Sequence, residues 1–139
     1  MVHIAHSMLV VSNLECALGF YQLALGLRLV KKRGERAARK RGASSAMAFV
    51  ADEAGHGIEL KQPFDGPVET GAGFGHVAVL CDDLESMLER LRDRGLEPYN
   101  IREQLGMHMA LVRDPDGHVV ELIDRESYRR WWEDPNASL

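Results

Sequence analysis

The sequence predicts an α+β fold: two tandem βαβββ modules forming a curved mixed sheet around a metal cleft. Three observations carry that prediction. Residues 47–60 align without gaps on residues 109–122, with eight of the fourteen positions identical. A shorter pair, 5–10 and 75–80, repeats a histidine in an apolar run, and each copy leads into a Leu-Glu step, Leu14-Glu15 and Leu84-Glu85. Each copy also carries one histidine and one glutamate at equivalent places, His6 with Glu59 and His76 with Glu121. A chain of 139 residues is long enough for one ordinary domain but not for two. The duplication is therefore expected inside a single domain spanning 1–139, with module 1 at about 3–62, module 2 at about 74–124 and a tail at 125–139.

The elements follow in order. Residues 4–11 are an apolar-rich run suited to a buried strand. Ser12-Asn13-Leu14-Glu15 reads as a capping box, with the serine accepting from a helix amide. Leu14, Ala17, Leu18, Tyr21 and Leu25 then fall on one helical stripe, and Gly26 can take the left-handed conformation that ends the helix. Three strands are expected next, at about 27–33, 44–51 and 57–62. The second copy repeats this grammar: a strand at 75–80, an acidic cap at Asp82 with Glu85, a stripe of Leu84, Met87, Leu88 and Leu91, and a stop at Gly95. Its three strands are expected at about 96–103, 108–113 and 118–124, the last two joined by the turn Asp114-Pro115-Asp116-Gly117. The copies are offset by 70 at the histidines and 62 at the glutamates, so the first holds a net eight extra residues. Those fit between Lys31 and Ser45, overlapping the basic stretch Arg28–Arg41, which is expected to form a solvated hairpin. The tail 125–133 predicts a short helix presenting Tyr128, Trp131 and Trp132 to a core edge or a dimer seam.

Composition narrows the function classes. With 45% apolar and 27% charged residues the chain is an ordinary globular one. No apolar run approaches the ~18–20 residues of a membrane span, and Met1-Val2-His3-Ile4 lacks the basic region of a secretory signal. Cys16 and Cys81 fit neither a disulfide framework nor a CxxC metal site, so a reducing cytoplasm is expected. Residues 28–41 hold eight Lys/Arg and one Glu, a local +7 inside a chain of net charge −4. No aromatics interleave with these cations, so nucleic acid is not an expected partner. A functional use of the segment would be capture of an anionic tail on a small substrate, a carboxylate or a phosphate.

The chemistry rests on the repeated His and Glu. Side chains alternate between the faces of a strand, and Glu59 and Glu121 each stand between two aliphatic residues. A carboxylate there is costly to bury unless paired or coordinated. In a βαβββ unit the first and last strands can lie side by side, which would bring each histidine to its glutamate. Together His6, Glu59, His76 and Glu121 form a two-nitrogen, two-oxygen donor set without thiolate, suited to a catalytic divalent ion: Zn, Ni, Co, Fe or Mn. Such an ion is a Lewis acid for a carbonyl or enediolate, and a carboxylate can serve as the base. His56 and His118 also repeat, but they lie three residues before the glutamates, which puts them on the opposite strand face and in turns. His3 is expected at the surface. His108 has no counterpart in the first copy, where Ala46 stands, and is not expected in the site.

These residues resemble the vicinal oxygen chelate superfamily (glyoxalase, bleomycin resistance, extradiol dioxygenase), with glyoxalase I the closest fit. The resemblance covers residues 3–124 and rests on Ile4-Ala5-His6-Ser7-Met8-Leu9-Val10-Val11, Leu18-Gly19-Phe20-Tyr21, Ile58-Glu59-Leu60, Gly75-His76-Val77-Ala78 and Asp114-Pro115-Asp116-Gly117-His118-Val119-Val120-Glu121-Leu122. It implies paired βαβββ modules, a homodimer, and a divalent ion held by His6, Glu59, His76 and Glu121, with Ni, Zn or Co ahead of Fe or Mn. It also implies a lyase or isomerase in which Glu59 and Glu121 shuttle a proton between adjacent carbons of a hemithioacetal, or a related α-hydroxycarbonyl, through a metal-bound enediolate. Two alternatives stay within the superfamily. An Fe(II) extradiol-type dioxygenase would use only His6, His76 and Glu121, and a metal-free drug-binding protein would use none of the four. The chain departs from glyoxalase I around the thiol: Val10 stands where an arginine is typical, and Pro63 where an asparagine is typical. The thiol partner is therefore left open.

Overall fold

The computed structural model describes residues 6–68 and 76–136. Two compact units divide it, Met1–Gly71 and Ala72–Leu139, and each builds its own four-stranded mixed sheet. The first unit runs β1 (His6–Val10), α1 (Leu14–Leu18), a π-helical segment (Gly19–Ala24), β2 (Arg28–Arg33), α2 (Glu35–Lys40), β3 (Ser45–Ala51) and β4 (Gly57–Pro63). The second runs β5 (Val77–Cys81), α3 (Leu84–Asp93), β6 (Tyr99–Gln104), β7 (Met107–Arg113), β8 (Val119–Asp124) and α4 (Arg125–Glu133). Strand order is β1-β4-β3-β2 in one sheet and β5-β8-β7-β6 in the other, with the first and last strands of each unit parallel and the rest antiparallel. The predicted βαβββ unit is therefore present twice.

One face of each sheet is closed by its helix. In the first unit the stripe Leu14, Ala17, Leu18, Tyr21 and Leu25 is buried, as are Leu9, Val11, Ala48, Val50, Ile58 and Leu60. After Leu18 the helix widens to i→i+5 bonding, with the Leu25 amide donating to the Phe20 carbonyl at 2.9 Å. That local change brings Phe20 inside as well as Tyr21. Gly26 and Gly95 adopt φ of 84° and 76°, the left-handed stops the sequence predicts. In the second unit Leu84, Leu88 and Leu91 of α3 are buried with Ala110, Val112, Val120 and Leu122.

Some local expectations shift. The helix caps sit one residue later than predicted: Asn13, not Ser12, accepts from the Cys16 amide, and Asp83, not Asp82, accepts from the Ser86 amide. The extra residues of the first copy do not form a simple hairpin. They hold α2, anchored by fully buried Ala38 and by an Arg39 guanidinium 4.1 Å from the centre of the Phe64 ring. The tail forms α4, capped by Asp124, and its Tyr128 and Trp131 pack on Met107, Met109 and Ile123. Trp131 thus occupies a core edge, while the side chain of Trp132 lies outside the described residues.

Both cysteines are free, Cys16 exposed and Cys81 buried. Burial, reinforced by the charges of Asp82 and Asp124, pushes the Cys81 thiol up to about 11. The reactive species is the thiolate. At pH 8 a thiol reagent is therefore expected to titrate Cys16 quickly and Cys81 only after unfolding; two equally fast thiols would contradict the buried placement. Well below the ordinary thiol value of 9.0 both states are protonated, and stability falls as pH rises towards 11 because the unfolded chain ionises first.

Candidate metal centre

In the first unit, parallel pairing sets His6 beside Gly57 and Met8 beside Glu59. Ile58 and Leu60 point into the helix-covered core, so alternation sends Glu59 to the other face, which His6 shares. His6 Nε2 stands 3.2 Å from Glu59 Oε2, with the glutamate side chain 14% exposed and the histidine 40%. The Phe49 ring, register partner of Glu59, meets His6 edge-on with centroids 5.3 Å apart. Beside them opens a recess of about 310 Å³ whose wall includes His6, Val30, Lys31, Phe49 and Gly57. A methyl group on Gly57 would sit 3.3 Å from the Val50 carbonyl oxygen, so glycine suits the close packing under His6.

The second unit repeats the arrangement. His76 immediately precedes β5, Ala78 pairs with Glu121, and His76 Nε2 stands 3.2 Å from Glu121 Oε2. Glu121 is again 14% exposed. Here one further group joins: Arg102 Nη2 donates to Glu121 Oε1 at 3.3 Å. Sequence reasoning missed Arg102, and the cause is a bulge. Between Tyr99 and Arg102 the strand β6 takes one more residue than β7, which reverses the alternation and turns Arg102 to the glutamate's face. The first unit has an equivalent irregularity in β2 between Leu29 and Lys31.

The other histidines separate from these pairs. His56 and His118 sit in matching turns: the His56 amide donates to Asp52 Oδ1 at 2.9 Å, and the His118 amide to Asp114 Oδ1 at 2.8 Å. Partial burial raises the Asp52 carboxyl, but the hydrogen bonds and charge of His56 together outweigh it and hold it below its usual value. His108 alternates away from Met107 and Met109, is exposed, and lies 3.8 Å from Glu103. His3 lies outside the described residues.

The donor chemistry of each pair fits a metal. Two donors at roughly 2.0–2.2 Å from one ion and at right angles stand about 3 Å apart, close to the 3.2 Å seen in both pairs. Among the described residues no group of three or more His, Cys, Asp or Glu side chains comes together, so each pair offers two donors. A larger recess of about 410 Å³, lined by Leu105, Arg130, Trp131 and Asp134 among others, contains neither pair.

A family model described as the Glyoxalase/Bleomycin resistance protein/Dioxygenase superfamily matches residues 3–122. The chain belongs to this superfamily. Within it, a lactoylglutathione lyase of Neisseria meningitidis serogroup A is 33% identical over 136 residues, covering 91% of this chain and 93% of that one. A lactoylglutathione lyase of Haemophilus influenzae is 30% identical, covering 91% and 95%. Solved structures give the same fold. The trypanothione-dependent glyoxalase I of Leishmania major superposes with a TM-score of 0.77 at 22% identity, covering 96% of this chain and 94% of that one. An antibiotic-binding protein from Streptomyces sp. CB03234 superposes with a TM-score of 0.72 at 23% identity, covering 89% and 96%. Proteins on this fold thus carry the names of both enzymes and binders. No helix among the described residues is long and apolar enough to cross a membrane.

Proposed function

We propose that this chain is a metal-dependent lyase or isomerase of the glyoxalase I type, whose ion is held by His6, Glu59, His76 and Glu121. One observation carries the reading: the His–Glu pair recurs at 3.2 Å in both units of a chain about one-third identical to lactoylglutathione lyases. Residues 1–139 are taken to act as one functional domain. When bound, a divalent ion (Ni, Zn or Co before Fe or Mn) supplies Lewis acidity to a carbonyl oxygen and so acidifies the neighbouring C–H.

The remaining work belongs to the chain. A carboxylate, Glu59 or Glu121, takes the proton from the carbon bearing sulfur in the hemithioacetal and returns one to the adjacent carbonyl carbon, while the hydroxyl proton of the first carbon passes to the former carbonyl oxygen. The product is a thioester of a 2-hydroxy acid, reached without any oxidant or net water. Arg102 holds Glu121 in place through its Nη2 contact. Phe49 beside His6, and Leu111 in register with Glu121, provide apolar surfaces next to the two carboxylates. We further take the protein to work as a homodimer in a reducing cytoplasm, in keeping with its two free cysteines.

Elemental analysis of untreated protein, with an assay on methylglyoxal and several thiols including glutathione, tests the reading. A stoichiometric divalent metal is expected, lost in both His6→Ala and His76→Ala together with turnover of the hemithioacetal. Metal-free protein that remains fully active, or metal retained in both variants, would remove the ligand assignment.

A further inference from the structure

The basic segment divides by strand face, and the division is informative. Lys32 pairs with Glu15 at 2.6 Å, and Arg39 pairs with Glu35 at 2.8 Å while stacking over Phe64. Those cations are used in the fold. Lys31 and Arg33 differ. The one-residue bulge after Leu29 reverses the alternation of β2, so Lys31 registers with Phe49 and Arg33 with Met47. Phe49 in turn registers with Glu59, and Met47 with Lys61, which lies beside Val10 on β1. Two cross-strand rows result on the face that carries His6: Lys31–Phe49–Glu59–Met8, and Arg33–Met47–Lys61–Val10.

None of Lys31, Arg33 and Lys61 is ion-paired to a described residue. Arg33 Nε is also buried with no hydrogen-bond partner, whereas its counterpart Arg102, in register with Met109, is engaged by Glu121. A buried guanidinium N–H left without an acceptor is uncommon and points to a missing partner. Strand spacing puts Lys61 roughly 7 Å along the chain from Glu59, and Lys31 roughly 10 Å across two strands. Lys31 also forms part of the wall of the recess at His6.

We propose that Lys31, Arg33 and Lys61 form the specificity site for an anionic handle, carboxylate or phosphate, on the thiol portion of the substrate. Phe49 and Met47 lie between these cations and carry the apolar linker. The site rests on the proposed lyase reading, and it explains how the chain can hold a charged thiol adduct although Val10 and Pro63 are neutral. The cation is supplied one strand over, in register with Val10.

Calorimetric binding to the metal-loaded protein tests this independently of turnover, with three thioether probes: 2-(hexylthio)ethanol, 2-(hexylthio)succinate and 2-(hexylthio)ethyl phosphate. At least one anionic probe is expected to bind about tenfold tighter than the neutral one, the size of one charge-assisted hydrogen bond. Whichever anion binds tighter identifies the handle. Added salt, and each of Lys31→Met, Arg33→Met and Lys61→Met, should erode that preference while leaving affinity for the neutral probe unchanged. Lys32→Met, on the opposite face, should leave all three affinities unchanged. Equal affinity for the three probes, a preference that survives all three site variants, or an equal loss in Lys32→Met overturns the proposal. Anion preference without turnover of any hemithioacetal would instead overturn the lyase reading and leave the handle site standing.

Discussion

Glu121→Gln is expected to lower kcat/KM for a hemithioacetal by about 10²–10⁴-fold, the range for losing a positioned acid/base group, while the fold survives. Glutamine fills the same volume on the same face of β8, between core residues Val120 and Leu122. Arg102 can donate to the amide oxygen as it now donates to Glu121 Oε1 at 3.3 Å. What disappears is the basic lone pair, and with it one anionic donor for a divalent ion. Steady-state kinetics, metal content and thermal unfolding of the variant together check the expectation. Full activity with unchanged metal would exclude Glu121 from the chemistry. Glu59→Ala examined in parallel separates reaction types: full activity there, with oxygen uptake on a catechol, would favour ring cleavage over isomerisation.

Leu122→Ala is expected to have the largest effect on stability, about 2–5 kcal/mol. Leu122 is fully buried and points away from its neighbour Glu121, into the layer closed by Leu84, Leu88 and Leu91 of α3. Deleting its branch removes apolar burial and leaves a cavity that two register partners, Val79 and Ala110, are held too firmly by their strands to fill. The unfolding midpoint should fall by roughly 10 °C for a chain of this size, as read by thermal denaturation. A loss below about 1 kcal/mol would mean that this face is not a closed core. The adjacent residues 121 and 122 thus divide the labour: one change removes chemistry and spares the fold, and the other does the reverse.

Much of this architecture was legible in the chain because it is written twice. A period-two pattern on the strands and a helical stripe on α1 depend only on local geometry, so the strand and helix positions were readable from residue spacing. The same alternation separated Glu59 and Glu121 from His56 and His118, and the matching Asp52 and Asp114 turns agree with that separation. Caps were less legible. Ser12 and Asn13 both have side chains that can accept from a helix amide, and the choice depends on backbone angles that neighbouring elements impose.

The sequence alone determined that a histidine and a glutamate belong to each half, and that a βαβββ unit could bring them together. Only the tertiary structure decided that they meet, at 3.2 Å in each unit, because contact needs parallel pairing of strands about fifty residues apart in the first unit and about forty-five in the second. It also decided which cations share their face. A single extra residue in β2 and in β6 reverses the alternation beyond it, turning Lys31, Arg33 and Arg102 towards the glutamates. No spacing rule reveals such a bulge, since it exists only relative to the strand alongside.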